Sequence, residues 1–152
     1  MARVSVYLNF PGTTEEAFLF YKSVFKTEFD GGISRFSQVP DHDSDMKVSE
    51  AEKNLVMHVS LPLMGDFMLM GTDIPKSFKT KVEFGNNVSI NLEPDTRKET
   101  ERLYTALSAG GKAEMPLQEM FWGDYYGYCT DKFGIKWMFN CSERVGTKKA
   151  HS

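Results

Sequence analysis

The sequence predicts an α+β protein made of two β-α-β-β-β modules. Three observations carry that expectation. The chain opens with a β-branched and aromatic run, a Pro-Gly breaker and a helix-capping pair; the same order returns about 83 residues later; and each predicted helix is followed by strand-like runs separated by turn residues.

Val4-Ser5-Val6-Tyr7-Leu8-Asn9-Phe10 reads as the first strand, ended by Pro11-Gly12. Thr13 stands three residues before Glu16, the spacing at which a hydroxyl and a carboxylate satisfy free N–H groups at a helix start. Ala17, Phe18, Phe20, Tyr21, Val24 and Phe25 recur at helical spacing and predict a broad buried face. Thr27 to Phe36 is a strand candidate, and the polar stretch from Asp41 to Lys53 reads as a loop. Leu55 to Leu63 and Phe67 to Gly71 predict a hairpin across Met64-Gly65-Asp66.

The second module begins with Asn87-Val88-Ser89-Ile90-Asn91-Leu92-Glu93, then Pro94-Asp95, then Thr96 with Glu99 three residues on. Pro11 matches Pro94, Thr13 Thr96, Glu16 Glu99, Phe20 Leu103, Tyr21 Tyr104, and Val24 Leu107. Each match serves as turn, cap or core contact, and their common register predicts a duplication. The second helix ends at Gly110-Gly111, where left-handed backbone can close a C-terminus. Strands follow near Lys112 to Met115, Gly127 to Asp131 and Ile135 to Asn140. One domain is expected over residues 1–143, with modules of about 1–75 and 82–143, and a flexible tail over 144–152 that carries Lys148, Lys149 and His151.

Composition narrows the function classes. Of 152 residues 41% are hydrophobic and 13% aromatic, which suits one core and argues against disorder. Lys and Arg total 18 against 21 Asp and Glu, so a nucleic-acid partner is not expected. No apolar run approaches the roughly 20 residues of a membrane-spanning helix. The start, MARVSVYLNFPG, lacks the apolar core and cleavage site of a secretory signal. The two cysteines, Cys129 and Cys141, lie outside any Cys-x-x-Cys motif, so hydrophobic packing is expected rather than a redox pair. No Ser-His-Asp spacing, phosphate-binding Gly loop or zinc-finger spacing occurs. The expectation is a cytoplasmic protein with no nucleic-acid and no membrane partner.

Several segments together resemble the PhnB-like branch of the vicinal oxygen chelate superfamily, the group of glyoxalase I, extradiol dioxygenases, and fosfomycin and bleomycin resistance proteins. They are Tyr7-Leu8-Asn9-Phe10-Pro11-Gly12 leading into Glu16-Ala17 and Phe20-Tyr21, Val56-Met57-His58, Gly71-Thr72-Asp73, Phe121-Trp122-Gly123-Asp124-Tyr125-Tyr126-Gly127, and Asp131-Lys132-Phe133-Gly134-Ile135-Lys136-Trp137. The similarity runs from about Val4 to Asn140. It implies a glyoxalase/bleomycin-resistance-like fold in which two half-barrels enclose a cleft, and a homodimer. PhnB-like proteins are often labelled demethylubiquinone methyltransferases, yet no Gly-rich nucleotide loop opens a parallel α/β sheet here to hold a methyl donor.

Superfamily enzymes hold a divalent metal with His, Glu or related side chains on the first and last strands of each half, because such an ion needs several converging donors. The resemblance places those positions near Val4 or Ser5, at Asn87, at Trp137 and near Leu69; a slip of one residue gives Ser5, Val88, Lys136 or Met138, and Met70. Of Val4, Asn87, Trp137 and Leu69 only Asn87 is a candidate oxygen donor, and an amide is a weak ligand. The resemblance thus implies the architecture without its usual metal site, and no cofactor is expected.

The candidate contacts for a small molecule are His58, Asn91, Trp122 and Tyr126, with facing inferred from strand alternation. His58 reads either as a lone base or donor, or as a strand histidine satisfied by a neighbour. His42 lies among Asp41, Asp43 and Asp45, where a solvated acidic loop is expected rather than a cation site. Met57, Met64, Met68 and Met70, with Met115, Met120 and Met138, can form an adaptable apolar wall or a soft core. Trp122, Tyr125, Tyr126 and Trp137 can stack on a ligand, or pack the sheet or a dimer contact. The function expected is binding of a small, partly apolar molecule in an aromatic and Met-lined cleft. Two alternatives stand beside it: a metal-dependent lyase or dioxygenase of the glyoxalase type with relocated ligands, and a protein-interaction module.

Overall fold

The computed structural model describes residues 1–40 and 47–145. His42 with Asp41, Asp43 and Asp45, and the tail residues Lys148, Lys149 and His151, lie outside the described residues. The elements are β1 (Val6–Phe10), α1 (Thr14–Phe25), β2 (Ser34–Arg35), β3 (Val56–Pro62), β4 (Met68–Asp73), β5 (Ile90–Leu92), α2 (Arg97–Ser108), β6 (Lys112–Glu119), β7 (Tyr125–Thr130) and β8 (Lys136–Cys141). Short 3-10 turns occupy Phe36–Gln38, Glu50–Glu52 and Lys76–Phe78. Two compact units, Met1–Glu83 and Phe84–Ser152, each follow the β-α-β-β-β order. Both helices span 12 residues, and their first residues (14 and 97) stand as far apart as their last (25 and 108), so the sequence repeat is a repeat of structure. Among the described residues no helix is long and apolar enough to cross a membrane.

In the first unit the strand order is β1-β4-β3-β2, with β1 parallel to β4 and the other pairs antiparallel. Register sorts the side chains into rows. Val6, Leu69 and Leu61 form one row and Leu8, Gly71 and Val59 another. Except for half-buried Val6, these residues are buried beneath α1, whose Ala17, Phe18, Tyr21 and Val24 are buried in turn. Gly71 is required there: a Cβ at this position would stand 2.5 Å from the Phe18 ring. Thr13 occupies the N-cap of α1 but makes no side-chain cap bond. The buried Asp73 of β4 takes that role instead, accepting from the backbone N–H groups of Gly12 (3.1 Å) and Thr14 (3.0 Å). The long strand expected over Thr27 to Phe36 is only two residues of ladder, because a register shift between Ser34 and Arg35 and the 3-10 turn that follows end the pairing.

The second unit repeats the plan in the order β5-β8-β7-β6, again with its outer first strand parallel to its last. The rows Ile90–Trp137–Cys129 and Leu92–Phe139–Gly127 are buried under Leu103 and Leu107 of α2. Here the capping expectation holds: the Thr96 hydroxyl accepts from the Glu99 N–H at 3.1 Å. The Glu99 carboxylate does not close a capping box but pairs with Arg102. The Asp131 side chain shapes the β7–β8 turn, accepting from the Phe133 and Ile135 N–H groups on one oxygen and from the Trp137 indole N–H (2.8 Å) on the other. β6 continues to Glu119, beyond the short strand expected, by absorbing two register shifts against β7.

Candidate functional site

Strand alternation leaves each sheet a second face, opposite its helix, and the candidate residues gather there. In the first unit Tyr7, Met70 and Ser60 stand in one row across β1, β4 and β3. His58 lies two residues before Ser60 on β3 and bridges the row: its Nδ1 is 2.9 Å from the Tyr7 hydroxyl and its Nε2 is 2.9 Å from the Ser60 hydroxyl. A neutral imidazole donates through one nitrogen and accepts at the other, so the chain has two polarities. With the proton on Nδ1, the ring donates to the Tyr7 oxygen and leaves its O–H free to donate outward. With the proton on Nε2, Tyr7 donates to the ring and Ser60 accepts from it. Burial raises the Tyr7 pKa, which keeps the phenol a donor at neutral pH. The Ser5 hydroxyl donates to the Met70 sulfur at 3.8 Å. The result is a polar relay beside half-buried Met68 and Met70.

In the second unit the corresponding row is Asn91, Met138 and Tyr128, with Tyr126 and Asn140 forming the next row and Thr130 and Lys136 flanking it. Asn91 and Tyr126 therefore share a face, separated by β8. The Asn91 amide donates to Glu93 at 2.9 Å, and the Tyr126 and Tyr128 rings meet edge to face at 6.3 Å. Trp122 lies outside the strands. It sits in the β6–β7 connection, half exposed, its ring 4.9 Å from that of the fully exposed Phe121. The Asp124 carboxyl, two residues on, is held below the usual range first by Arg144 and then by Asn140.

The positions assigned by resemblance to metal ligands need correction. Leu69 and Trp137 are each the second residue of the last strand of their unit and are fully buried on the helix side. The helix-free residues at those strand levels are Met70 and Met138, each third in its strand. Thioether sulfur suits soft ions and is a poor donor for hard or borderline divalent ones. Among the described residues no three His, Cys, Asp or Glu are grouped so as to hold one ion. Neither methionine is a donor that fits the superfamily's usual metal.

Cys129 and Cys141 are free and buried on the helix side of the second sheet. Burial pushes the Cys129 thiol up to about 12, with Asp131 and Glu114 adding to the shift, so it is no nucleophile near neutral pH. Tyr7 and Ser60 escaped the sequence reading as site residues. Alternation with buried Leu8 and Phe10 marks Tyr7 as outward-facing, but only the order β1-β4-β3 brings it to His58, 51 residues away.

Comparison with known proteins bears on this geometry. Residues 2–139 match the family model described as 3-demethylubiquinone-9 3-methyltransferase. The crystal structure of protein PA1353 from Pseudomonas aeruginosa superposes with a TM-score of 0.79 at 33% identity, covering 93% of this chain and 98% of that one. The PhnB protein from Bacillus cereus superposes at 0.70 with 24% identity, over 92% and 99% of the two chains. A glyoxalase/bleomycin resistance protein/dioxygenase family enzyme from Burkholderia phytofirmans shares the fold at 0.60, with 15% identity over 90% and 97%. Two four-stranded mixed sheets, each with one helix, and a match over nearly the whole length lead to one conclusion: the chain belongs to the PhnB-like family that carries the 3-demethylubiquinone-9 3-methyltransferase description, on a fold of the glyoxalase/bleomycin resistance/dioxygenase type.

Proposed function

We propose that this protein binds a small, partly apolar molecule bearing an oxygen, held on the helix-free face of its first sheet, with no protein-bound metal in the usual position. The observation that supports this most is the Tyr7–His58–Ser60 relay beside Met68 and Met70. Methionine offers a deformable apolar floor, while the relay presents a hydroxyl whose donor or acceptor character follows the imidazole tautomer. Asn91 and Tyr126, on the equivalent face of the second sheet, and Trp122 remain proposed ligand contacts within their own unit. The reading takes the protein to be a cytoplasmic homodimer. Methyl transfer is not part of it: each sheet has a single parallel pair, not the parallel sheet of a nucleotide-type donor site.

Titration of 15N-labelled protein with 2-naphthol tests the proposal. Saturable shifts are expected at the amides of Tyr7, His58, Ser60 and Met70, with affinity lowered about tenfold in Tyr7→Phe and His58→Gln, the factor for one lost hydrogen bond of about 1.4 kcal/mol. Equal binding by both variants overturns the relay's role. Stoichiometric binding of zinc, manganese or iron at micromolar strength overturns the metal-free reading and favours a glyoxalase-type enzyme.

A further inference from the structure

We infer that the second unit carries a separate subsite for the carbonyl group of a small planar molecule, with the Lys136 ammonium as its donor. It lies in an open cavity of about 510 Å³ lined by Phe84, Gly85, Asn86, Thr130, Gly134 and Lys136. None of these residues takes part in the Tyr7–His58–Ser60 relay, so the inference stands or falls apart from the proposed function.

Lys136 opens β8, and its side chain is only 22% exposed. An ammonium has three N–H donors. One reaches the Thr130 hydroxyl at 2.7 Å and another the Glu114 carboxylate at 3.3 Å. Thr130 in turn donates to Glu114 at 2.7 Å, closing a triangle that fixes where the nitrogen sits. The third N–H is left for the cavity that Lys136 lines.

The same triangle selects the ligand class. Glu114 is the counter-ion in contact with Lys136, with Lys112 acting on the same carboxylate from further off, so an added carboxylate would have to compete with Glu114 for the ammonium and lose its hydration. A carbonyl oxygen needs one directed donor and no counter-charge. The Phe84 ring supplies the flat wall. It packs onto Gly134, where a Cβ would stand 2.7 Å from the ring, and it keeps 49% of its surface exposed for stacking. Asn86 also lines the cavity.

Acetophenone is the probe, with ethylbenzene as the frame lacking oxygen and benzoate as its charged counterpart. In 15N-labelled full-length protein, acetophenone is expected to give saturable shifts at Gly85, Asn86, Thr130 and Gly134, with ethylbenzene and benzoate about tenfold weaker. Lys136→Met is expected to lower acetophenone affinity, as read at these four amides, about tenfold. Should Lys136→Met fail to fold, intermolecular NOEs in the wild-type protein decide: contacts from acetophenone to the Phe84 ring and the Lys136 ε-methylene support the subsite. Absent or non-saturating shifts at these four amides, no NOE to Phe84 or Lys136, unaltered binding there by a folded Lys136→Met, or tighter binding of benzoate there each overturn it.

Discussion

The Asp73 carboxylate accepts the backbone N–H of Thr14 at 3.0 Å, joining the end of β4 to the start of α1 across 59 residues of chain. The same oxygen takes the Gly12 N–H, and its other oxygen takes the Val56 N–H at 2.9 Å. One side chain thus ties the β1–α1 turn and the head of β3 to β4. Asp73 and Thr14 are both almost wholly buried, so loss of the acceptor leaves donors that water cannot readily satisfy. Asp73→Ala is expected to destabilise the protein by about 3 kcal/mol or more, at about 1–3 kcal/mol for each stranded group. Urea unfolding checks it: the midpoint falls with an unchanged slope.

Gly71 and Phe18 make a second test. The 2.5 Å separation that a Cβ would have from the Phe18 ring is far inside van der Waals contact, and both residues sit between sheet and helix. Gly71→Ala is expected to cost about 1–3 kcal/mol by overpacking. Phe18→Leu in the same chain relieves the clash, so the double variant is expected to lose less than the sum of the single losses in a thermodynamic cycle.

Glu52 binds the 3-10 turn at Glu50–Glu52 to the one at Lys76–Phe78. Its carboxylate accepts from the Ser77 hydroxyl and N–H and from the Ser49 hydroxyl and N–H. These bonds, Ser77 foremost, lower its pKa from 4.5 to about 2. A carboxyl held lower in the folded than in the unfolded state stabilises the fold above about 4.5, and that contribution fades as pH falls to about 2. Carbon-13 titration of the Glu52 carboxyl is expected to show a midpoint near 2, rising toward 4.5 in Ser77→Ala. A wild-type midpoint at 4.5 contradicts the assignment.

Cys129 makes the opposite pH statement. Its thiol is raised to about 12 by burial, whereas an unfolded thiol ionises near pH 8.5. The unfolded chain therefore releases a proton that the folded chain keeps, and this difference erodes stability as pH rises from about 8.5 toward 12. At pH 8 the native protein is expected to leave Cys129 unreacted with a thiol-disulfide reagent, and both cysteines are expected to react once it is unfolded in guanidinium.

Much of the fold was legible in the chain. The alternation of Leu8 and Phe10 with Tyr7 and Asn9, the helical spacing of Ala17, Tyr21 and Val24, the Thr96 cap and the recurrence of the whole unit are local patterns that a few residues set for themselves. The misreadings have a common cause. Thr13 looked like the cap of α1 because its spacing to Glu16 is right, yet a strand more than 50 residues on delivers a better acceptor in Asp73. Leu69 and Trp137 looked like ligand positions because a motif register carries an error of one residue, which in a strand is the difference between its two faces.

The candidate sites divide along the same line. Sequence by itself determined which side chains exist, that Met70 and Met138 occur in repeated strands, and that few metal-binding residues stand at the inherited positions. Tertiary structure alone decided that Tyr7, Met70 and Ser60 share a row, that His58 bridges its two ends, and that Lys136 is held by Glu114 and Thr130. The physical reason is that side-chain alternation is written into each strand, whereas strand order and register come from hydrogen bonds between segments far apart in the chain, selected by which face can be buried against a helix.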